Sequence, residues 1–410
     1  MKILKAVFML LDISITGIIM YLTKSKHQKP VWIISEREDQ AQDNGVAFFE
    51  YLNQKHPEIE SYYILKKHDR NIPKVQAIGK VLVKGSFKHK LYFLRSEVVA
   101  STEKNIIEPW GSNIFYKYIG RYFPKKLKVF LQHGITDKDV SHVYGKAVSA
   151  FDLFVTAATR ESAFIIDKFG YPEEEVINVG FPRYDKLTLN QENKQEQKLI
   201  LFMPTWRRYL NDLAREDKAY QVEAKKAFIK SSYYKAVQGL ISDERVKQLL
   251  EEANYKMIFV THHGMNAFKD TFKSGAHIAI RSSEEVEISN LLKEAEIFIT
   301  DYSSVHFDSA YLGNVNLYYQ FDIADFREGH ANASYFDYEV DGFGEVSYNQ
   351  EELINHLAAA ISQKGIRKEK FDQRVKAFFT YTDHANCERL YEEIIKRNNK
   401  NNKMNNEVNS

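Results

Sequence analysis

The sequence predicts an α/β protein of two domains, each a parallel sheet wrapped by helices, with an apolar helix ahead of the first. Three observations carry this. From Val31 onward, short apolar runs of strand length alternate with helical patterns, which is the signature of βαβ units. The alternation restarts after Leu187 to Lys198, a polar stretch without periodicity that reads as a linker. The length, 410 residues, exceeds what one hydrophobic core usually fills. Two such halves would face a central cleft at the carboxyl ends of their strands, where open α/β folds bind ligands.

Residues 1–29 form the first element. Ala6 to Leu22 is almost unbroken apolar sequence, flanked by Lys2 and Lys5 and by Lys24, Lys26 and Lys29. No small-residue cleavage pattern follows, which argues against a signal peptide. The run is short for a bilayer span and carries Asp12 near its middle. On a helical wheel Lys5, Asp12, Thr16 and Thr23 share a narrow stripe. That stripe would face water or the protein while the apolar remainder meets lipid, so we expect a membrane-associated helix; burial against the first domain is the competing reading.

The first domain is expected over 30–188. Its strands are read at Val31 to Ser35, Ser61 to Leu65, Lys80 to Val83, Val98 to Ser101, Lys128 to Gln132 and Leu153 to Thr156. A helix capped by Asp43 turns Val46, Phe49 and Leu52 inward. The second domain, 198–396, repeats the series at Leu199 to Met203, Lys256 to Thr261, His277 to Ile280, Ile297 to Thr300 and Val315 to Tyr318. Tyr209 to Asn254 reads as charge-laced helix, with a solvated face, covering the cleft or presenting an acceptor surface. Residues 397–410, rich in Asn and Lys, read as a disordered tail.

Composition narrows the function. Lys and Arg total 57 against 55 acidic residues, a net charge of +2, which disfavours a polyanion-coating protein, and we expect no nucleic-acid partner. The single cysteine, Cys387, removes disulfide frameworks and thiolate zinc sites. Phe115 to Lys128 interleaves aromatics with Lys117, Arg121, Lys125, Lys126 and Lys128. Beside an apolar N-terminus, this patch points to an anionic membrane or a lipid diphosphate.

Several short constellations carry chemistry. The strand Ile297 to Thr300 runs into Asp301-Tyr302-Ser303-Ser304; backbone N–H groups at a helix start and the two hydroxyls would hold a diphosphate without a glycine loop. An ordinary helix cap is the plain alternative. Asp308, one turn on from Ser304, would repel phosphate and so suits a hydroxyl of ribose or glycerol. His133, followed by Gly134, ends a strand of the first domain, as His262-His263 ends one of the second after Thr261. An imidazole at a sheet's carboxyl edge can serve as general base, because its proton affinity lies near working pH. Arg183 and Arg207 could each fork onto a phosphate or complete an ion pair. No His or Cys spacing supports a metal site.

Taken together, Leu131-Gln132-His133-Gly134, Gly180-Phe181-Pro182-Arg183-Tyr184-Asp185, Pro204-Thr205-Trp206-Arg207 and Thr300-Asp301-Tyr302-Ser303-Ser304 with Asp308 resemble the motifs of the CDP-glycerol glycerophosphotransferases, the teichoic-acid primases and polymerases. Asp43-Asn44-Gly45, Tyr335-Phe336-Asp337-Tyr338 and Gly342-Phe343-Gly344 extend the resemblance over Val31 to Tyr391. It implies a GT-B-like arrangement of two Rossmann-like domains, the first on the acceptor side and the second binding CDP-glycerol. It also implies transfer of glycerol phosphate or ribitol phosphate from CDP-glycerol or CDP-ribitol to a lipid-linked (prenyl diphosphate) saccharide or polymer, at the cytoplasmic face of the cell membrane, with release of CMP. By position His133 would be the base. Gly134, Ile135, Thr136 and Asp137 would line the donor, and Arg183, Pro204, Thr205, Arg207, Thr261, Ser303, Ser304 and Asp308 would bind it. His262 stands where the family has a His followed by Pro; here His263 follows, so either imidazole would meet the diphosphate. The family's usual Trp before His-Gly is Gln132. No cofactor or protein-bound metal is expected, with free Mg²⁺ as the remaining partner for the diphosphate. A nucleotide-sugar glycosyltransferase or a membrane-docked scaffold without catalysis are the rival readings.

Overall fold

A computed structural model describes residues 2–23, 28–104, 107–110, 115–123, 125–149, 151–187, 198–207, 210, 221–324, 326 and 334–408. The chain divides into two compact units: Met1–Ile135, Val140–Lys186 and Thr380–Ser410 in the first, Thr136–Asp139 and Leu187–Phe379 in the second. The interior of the expected linker, 188–197, lies outside the described residues, as do Lys24, Lys26 and 211–220.

The first unit holds seven parallel strands, β1 (Val31–Ser35), β2 (Glu60–Leu65), β3 (Lys80–Val83), β4 (Val98–Ser101), β5 (Leu127–Phe130), β6 (Leu153–Thr156) and β7 (Val176–Asn178), in the order β3-β2-β1-β4-β5-β6-β7. β1, β4 and β6 are buried along their whole length. Helices on both faces leave no solvated side, hence the unbroken apolar runs in the sequence. The helix Asn44–Lys55 starts as expected: the Asp43 carboxylate accepts from the Asn44 N–H at 2.7 Å, and Val46, Phe49 and Leu52 are buried. The second unit holds β8 (Leu199–Phe202), β9 (Lys256–Thr261), β10 (Ile278–Ser282), β11 (Ala295–Thr300), β12 (Val315–Tyr319) and β13 (Gly344–Ser347), all parallel, in the order β10-β9-β8-β11-β12-β13. Both sheets therefore wind outward from a centre, β1/β4 in one and β8/β11 in the other, and that switch point is where such sheets take ligands.

Several expectations change. The helices Gln221–Lys230, Ser232–Ser242 and Glu244–Ala253 belong to the second unit's core, burying Phe228, Val237, Leu240, Val246 and Leu250, so the charges of this stretch lie on its solvated faces. Residues 380–396, assigned from sequence to the second domain, belong to the first unit. The Asp185 carboxylate accepts from the N–H groups of Asn386 and Cys387 at 2.9 and 2.8 Å, and Leu390 and Ile394 are buried. The helix that begins there runs Asn386–Val408, through residues expected to be disordered. Once a capped and packed turn has met the cost of nucleation, each further residue adds a hydrogen bond at little expense.

The N-terminal helix, Lys2–Leu22, uses its polar stripe to dock on the first unit. Asp12 pairs with the Lys90 ammonium at 2.6 Å and accepts from the Trp110 indole N–H at 2.8 Å, Thr16 and Ile13 are buried, and Arg95 donates to the Thr23 hydroxyl at 2.7 Å. The helix thus packs one face on the first unit, as the competing reading held, and leaves the other exposed. No helix among the described residues is long and apolar enough to cross a membrane.

Lys126 also departs from expectation, since it is buried instead of contributing to a basic surface. Its ammonium donates to the carbonyls of Leu94 and Ser96, at 3.1 and 2.8 Å, and lies over the Phe93 and Phe115 rings. Burial pulls its pKa down from 10.5 to about 7. Between those values the unfolded chain binds a proton that the folded chain lacks, so this group makes stability rise with pH from about 7 to 10.5. Lys126→Met should flatten that part of the profile, which urea unfolding midpoints taken across the interval would measure.

Candidate active site

At the carboxyl edge of the first sheet, β5 ends at Phe130, two residues before the sequence pattern stops. The backbone turns at Gln132, whose φ is 55°, a left-handed conformation that costs a non-glycine residue about 1–2 kcal/mol. Side chains hold the turn in place. The buried Asn44 amide donates to the carbonyls of Leu131 and Gln132 at 3.0 and 2.9 Å. Arg183 Nη1 donates to the His133 carbonyl at 2.9 Å while pairing with Asp43. The Gln132 amide donates to the Val155 carbonyl and, at 3.0 Å, to Glu161 Oε1. With the backbone tied on both sides, the His133 side chain is exposed, and its ring centroid lies 6.2 Å from that of Tyr144.

Arg183 is thus part of this loop's scaffold. Its guanidinium lies over the rings of Phe181 and Tyr184, and its backbone N–H donates to Asn44 Oδ1 at 3.1 Å. Gly180 adopts φ 80°, and a Cβ there would stand 2.0 Å from the Asn386 side-chain oxygen, so only glycine fits this turn. Beneath the loop, Glu36 accepts from the N–H groups of Gln42, Asp43 and Val46, at 2.9, 2.9 and 2.8 Å. Burial, and then the neighbouring Asp43 charge, raise its pKa to about 7.

The second sheet carries the other cluster. The loop after β8 holds Pro204 and Thr205, and the loop after β11 holds Ser303 and Ser304. Asp301 joins them: its Oδ1 accepts from the N–H groups of Thr205 and Tyr302, at 2.7 and 2.6 Å. Its Oδ2 accepts from Arg207 at 2.8 Å, and the same guanidinium donates to both oxygens of Asp322, at 2.7 and 2.8 Å, and to the Thr205 carbonyl at 2.6 Å. Burial works to neutralise Arg207, but Asp301 and Asp322 outweigh it and raise its pKa. Arg207 is fully buried, so of the two roles open to it from sequence the structure supports the ion pair over the phosphate fork. Ser304 is exposed and Ser303 and Asp308 half-buried. The Ser304 side chain makes no cap bond to the helix Val305–Tyr311 that follows.

After β9, Thr261 is buried and His262 accepts from the Gly264 N–H through Nδ1 at 3.1 Å, which leaves Nε2 as the nitrogen bearing the proton in the neutral ring. The side chain of His263 lies outside the described residues. Gly134 is half-buried and Ile135 buried, both in the first unit. Thr136 and Asp137 group with the second, where burial raises the Asp137 pKa against the pull of Lys138. Sequence reasoning assigned no site role to Asn44, Glu161 or Asp322. Asn44 could have been found from its place in Asp43-Asn44-Gly45. The other two lie 29 and 115 residues from their partners, and nothing local marks them.

A family model described as CDP-Glycerol:Poly(glycerophosphate) glycerophosphotransferase matches residues 18–396. The minor teichoic acid biosynthesis protein GgaB of Bacillus subtilis (strain 168) is 32% identical over 380 residues, 91% of this chain; the chain spans only 40% of that longer protein. The teichoic acid glycerol-phosphate transferase of Staphylococcus aureus (strain NCTC 8325 / PS 47) is 21% identical over 371 residues, 85% of this chain and 88% of its own. A solved structure of the wall teichoic acid polymerase TagF, in the presence of CDPG, superposes with a TM-score of 0.68 at 16% identity, covering 97% of each chain, a likeness of fold.

Replacing Arg207 by Leu would strand two buried carboxylates. The expected loss is about 3–5 kcal/mol of unfolding free energy, read from urea denaturation, whereas Asp308→Asn, at a half-buried position, should change stability little.

Proposed function

The chain belongs to the CDP-glycerol:poly(glycerophosphate) glycerophosphotransferase family, and from that premise we propose that it transfers glycerol phosphate or ribitol phosphate from the CDP-activated alcohol to a hydroxyl of a lipid-linked teichoic acid or capsular acceptor. The observation that carries the proposal is the switch point of the second sheet. There Asp301 ties the loops after β8 and β11 together, so that Pro204-Thr205 and Ser303-Ser304 lie where a sheet of this winding receives a nucleotide's phosphates.

In this reading the hydroxyls of Thr205, Ser303 and Ser304 donate to the diphosphate, as does His262 through Nε2. Asp308 accepts from a ribose or glycerol hydroxyl. Arg183 both braces the His133 loop and brings positive charge toward the donor, with Gly134, Ile135, Thr136 and Asp137 beside it. His133 takes the proton of the acceptor hydroxyl as that oxygen bonds to the glycerol-bearing phosphorus. The bond from this phosphorus to the bridging oxygen breaks, and the electron pair leaves with CMP. Positioning and charge stabilisation supply most of the rate in such a step. Free Mg²⁺ on the donor diphosphate is compatible with it.

The exposed face of the N-terminal helix supports a membrane-surface location, on the cytoplasmic side where CDP-linked donors are made. Phe8, Leu11, Ile15, Ile18 and Leu22 form one outward stripe, each more than half exposed, with Tyr122 (69% exposed) beside Arg121 elsewhere on the same unit. A helix docked by its polar stripe and apolar outward suits lying in the interface, parallel to the bilayer.

His133→Ala should lower CMP release from CDP-glycerol by about 10²–10⁴-fold while leaving the circular dichroism unchanged; near-normal turnover would remove the base assignment. Release of UDP from UDP-sugars, with none of CMP, would favour a glycosyltransferase. The double variant Phe8→Asp, Ile15→Asp should stop sedimenting with anionic phospholipid vesicles yet keep its turnover on a detergent-solubilised acceptor. Unchanged sedimentation would move the membrane contact elsewhere.

A further inference from the structure

Among the described residues seven non-glycine positions have positive φ: His68, Gln132, Lys198, Asn254, His277, Lys364 and His384. Six of them are exposed or half-buried, where a left-handed residue ordinarily closes a turn. Gln132 alone is buried, at 1% exposure, and it immediately precedes the exposed His133. A strained conformation in the interior persists only where its surroundings hold it.

The surroundings here are specific. The Gln132 carboxamide donates to the Val155 carbonyl and to Glu161 Oε1. Glu161 is itself completely buried, and its other oxygen accepts from the Ala157 N–H at 2.9 Å. A carboxylate withdrawn from water at the start of the helix Thr159–Phe169 thereby accepts from the side chain of the residue before the imidazole. On the other side Asn44 secures the Gln132 carbonyl at 2.9 Å. Backbone and side chain of this one residue are both anchored, and by different elements.

We infer that Gln132 is a positioning residue for His133: the Glu161–Gln132 hydrogen bond holds the left-handed turn that presents the imidazole at the carboxyl edge of β5. The inference rests on the reading of His133 as the base. If the anchor is lost, the peptide at 132 can relax toward negative φ, which rotates the Cα–Cβ bond of the next residue. A displacement of that order at a reacting group costs about 10–100-fold in rate without altering how the donor binds.

Gln132→Met keeps the length and volume of the side chain and removes both donor bonds; Gln132→Gly removes the side chain but occupies positive φ without strain. Turnover of CDP-glycerol, donor affinity by calorimetry and thermal unfolding would be measured for both, with His133→Ala alongside. We expect Gln132→Met to lower kcat about 10–100-fold with KM and donor affinity within about twofold of the parent, and Gln132→Gly to recover part of the loss because its turn needs no anchor. The positioning role is overturned by an unimpaired Gln132→Met, or by a fall in kcat that tracks lost donor affinity and early unfolding, or by a glycine variant no better than the methionine one. An active His133→Ala would remove the base reading itself; an inactive one beside an active Gln132→Met removes only the role of Gln132.

Discussion

The charge of Arg207 is sealed from water and compensated by two carboxylates, Asp301 and Asp322. A buried cation is tolerable only when its donors are matched by acceptors in fixed geometry, and that requirement determines the carboxyl edge of the second sheet. One guanidinium reaches the loop after β8 through the Thr205 carbonyl, the loop after β11 through Asp301 and the segment after β12 through Asp322. Three chain segments that would otherwise be independent surface loops become one surface. Asp301, neutralised by Arg207, can then turn its second oxygen to the backbone of the two loops that carry the hydroxyl residues.

The first sheet reaches the same end with less charge. Asn44 and Arg183 take the carbonyls of Leu131, Gln132 and His133 in succession, and Asp43 and Glu36 organise the start of the helix from which Asn44 projects. The motif Gly180 to Asp185 serves three neighbours at once. Gly180 admits Asn386, Arg183 braces the His133 loop, and Asp185 caps the C-terminal helix. Part of what this motif contributes is therefore scaffold.

Among the described residues, eleven of the thirteen strands were legible because parallel strands covered on both faces are largely apolar, as in Val31 to Ser35 and Ile297 to Thr300. The two that were not, β7 (Val176–Asn178) and β13 (Gly344–Ser347), are short and hold only two apolar residues and one, in VIN and GEVS, too few to stand out as a run. The hydroxyl cluster, the strand-end histidines and the arginines were all visible as residue types in order. That Arg207 closes a buried ion pair was not, because Asp322 stands 115 residues from it.

From the sequence alone follow the two α/β halves, the polar stripe of the N-terminal helix and the identity of the chemical groups, since these depend on local periodicity and on which side chains follow which strand. Only the tertiary structure decided that residues 380–408 return to the first unit, that Arg207 and Lys126 are interior cations, and that Gln132 is held left-handed before His133. Each of these depends on a hydrogen bond or ion pair between segments far apart in the chain, and such a pairing leaves no periodic trace in either segment.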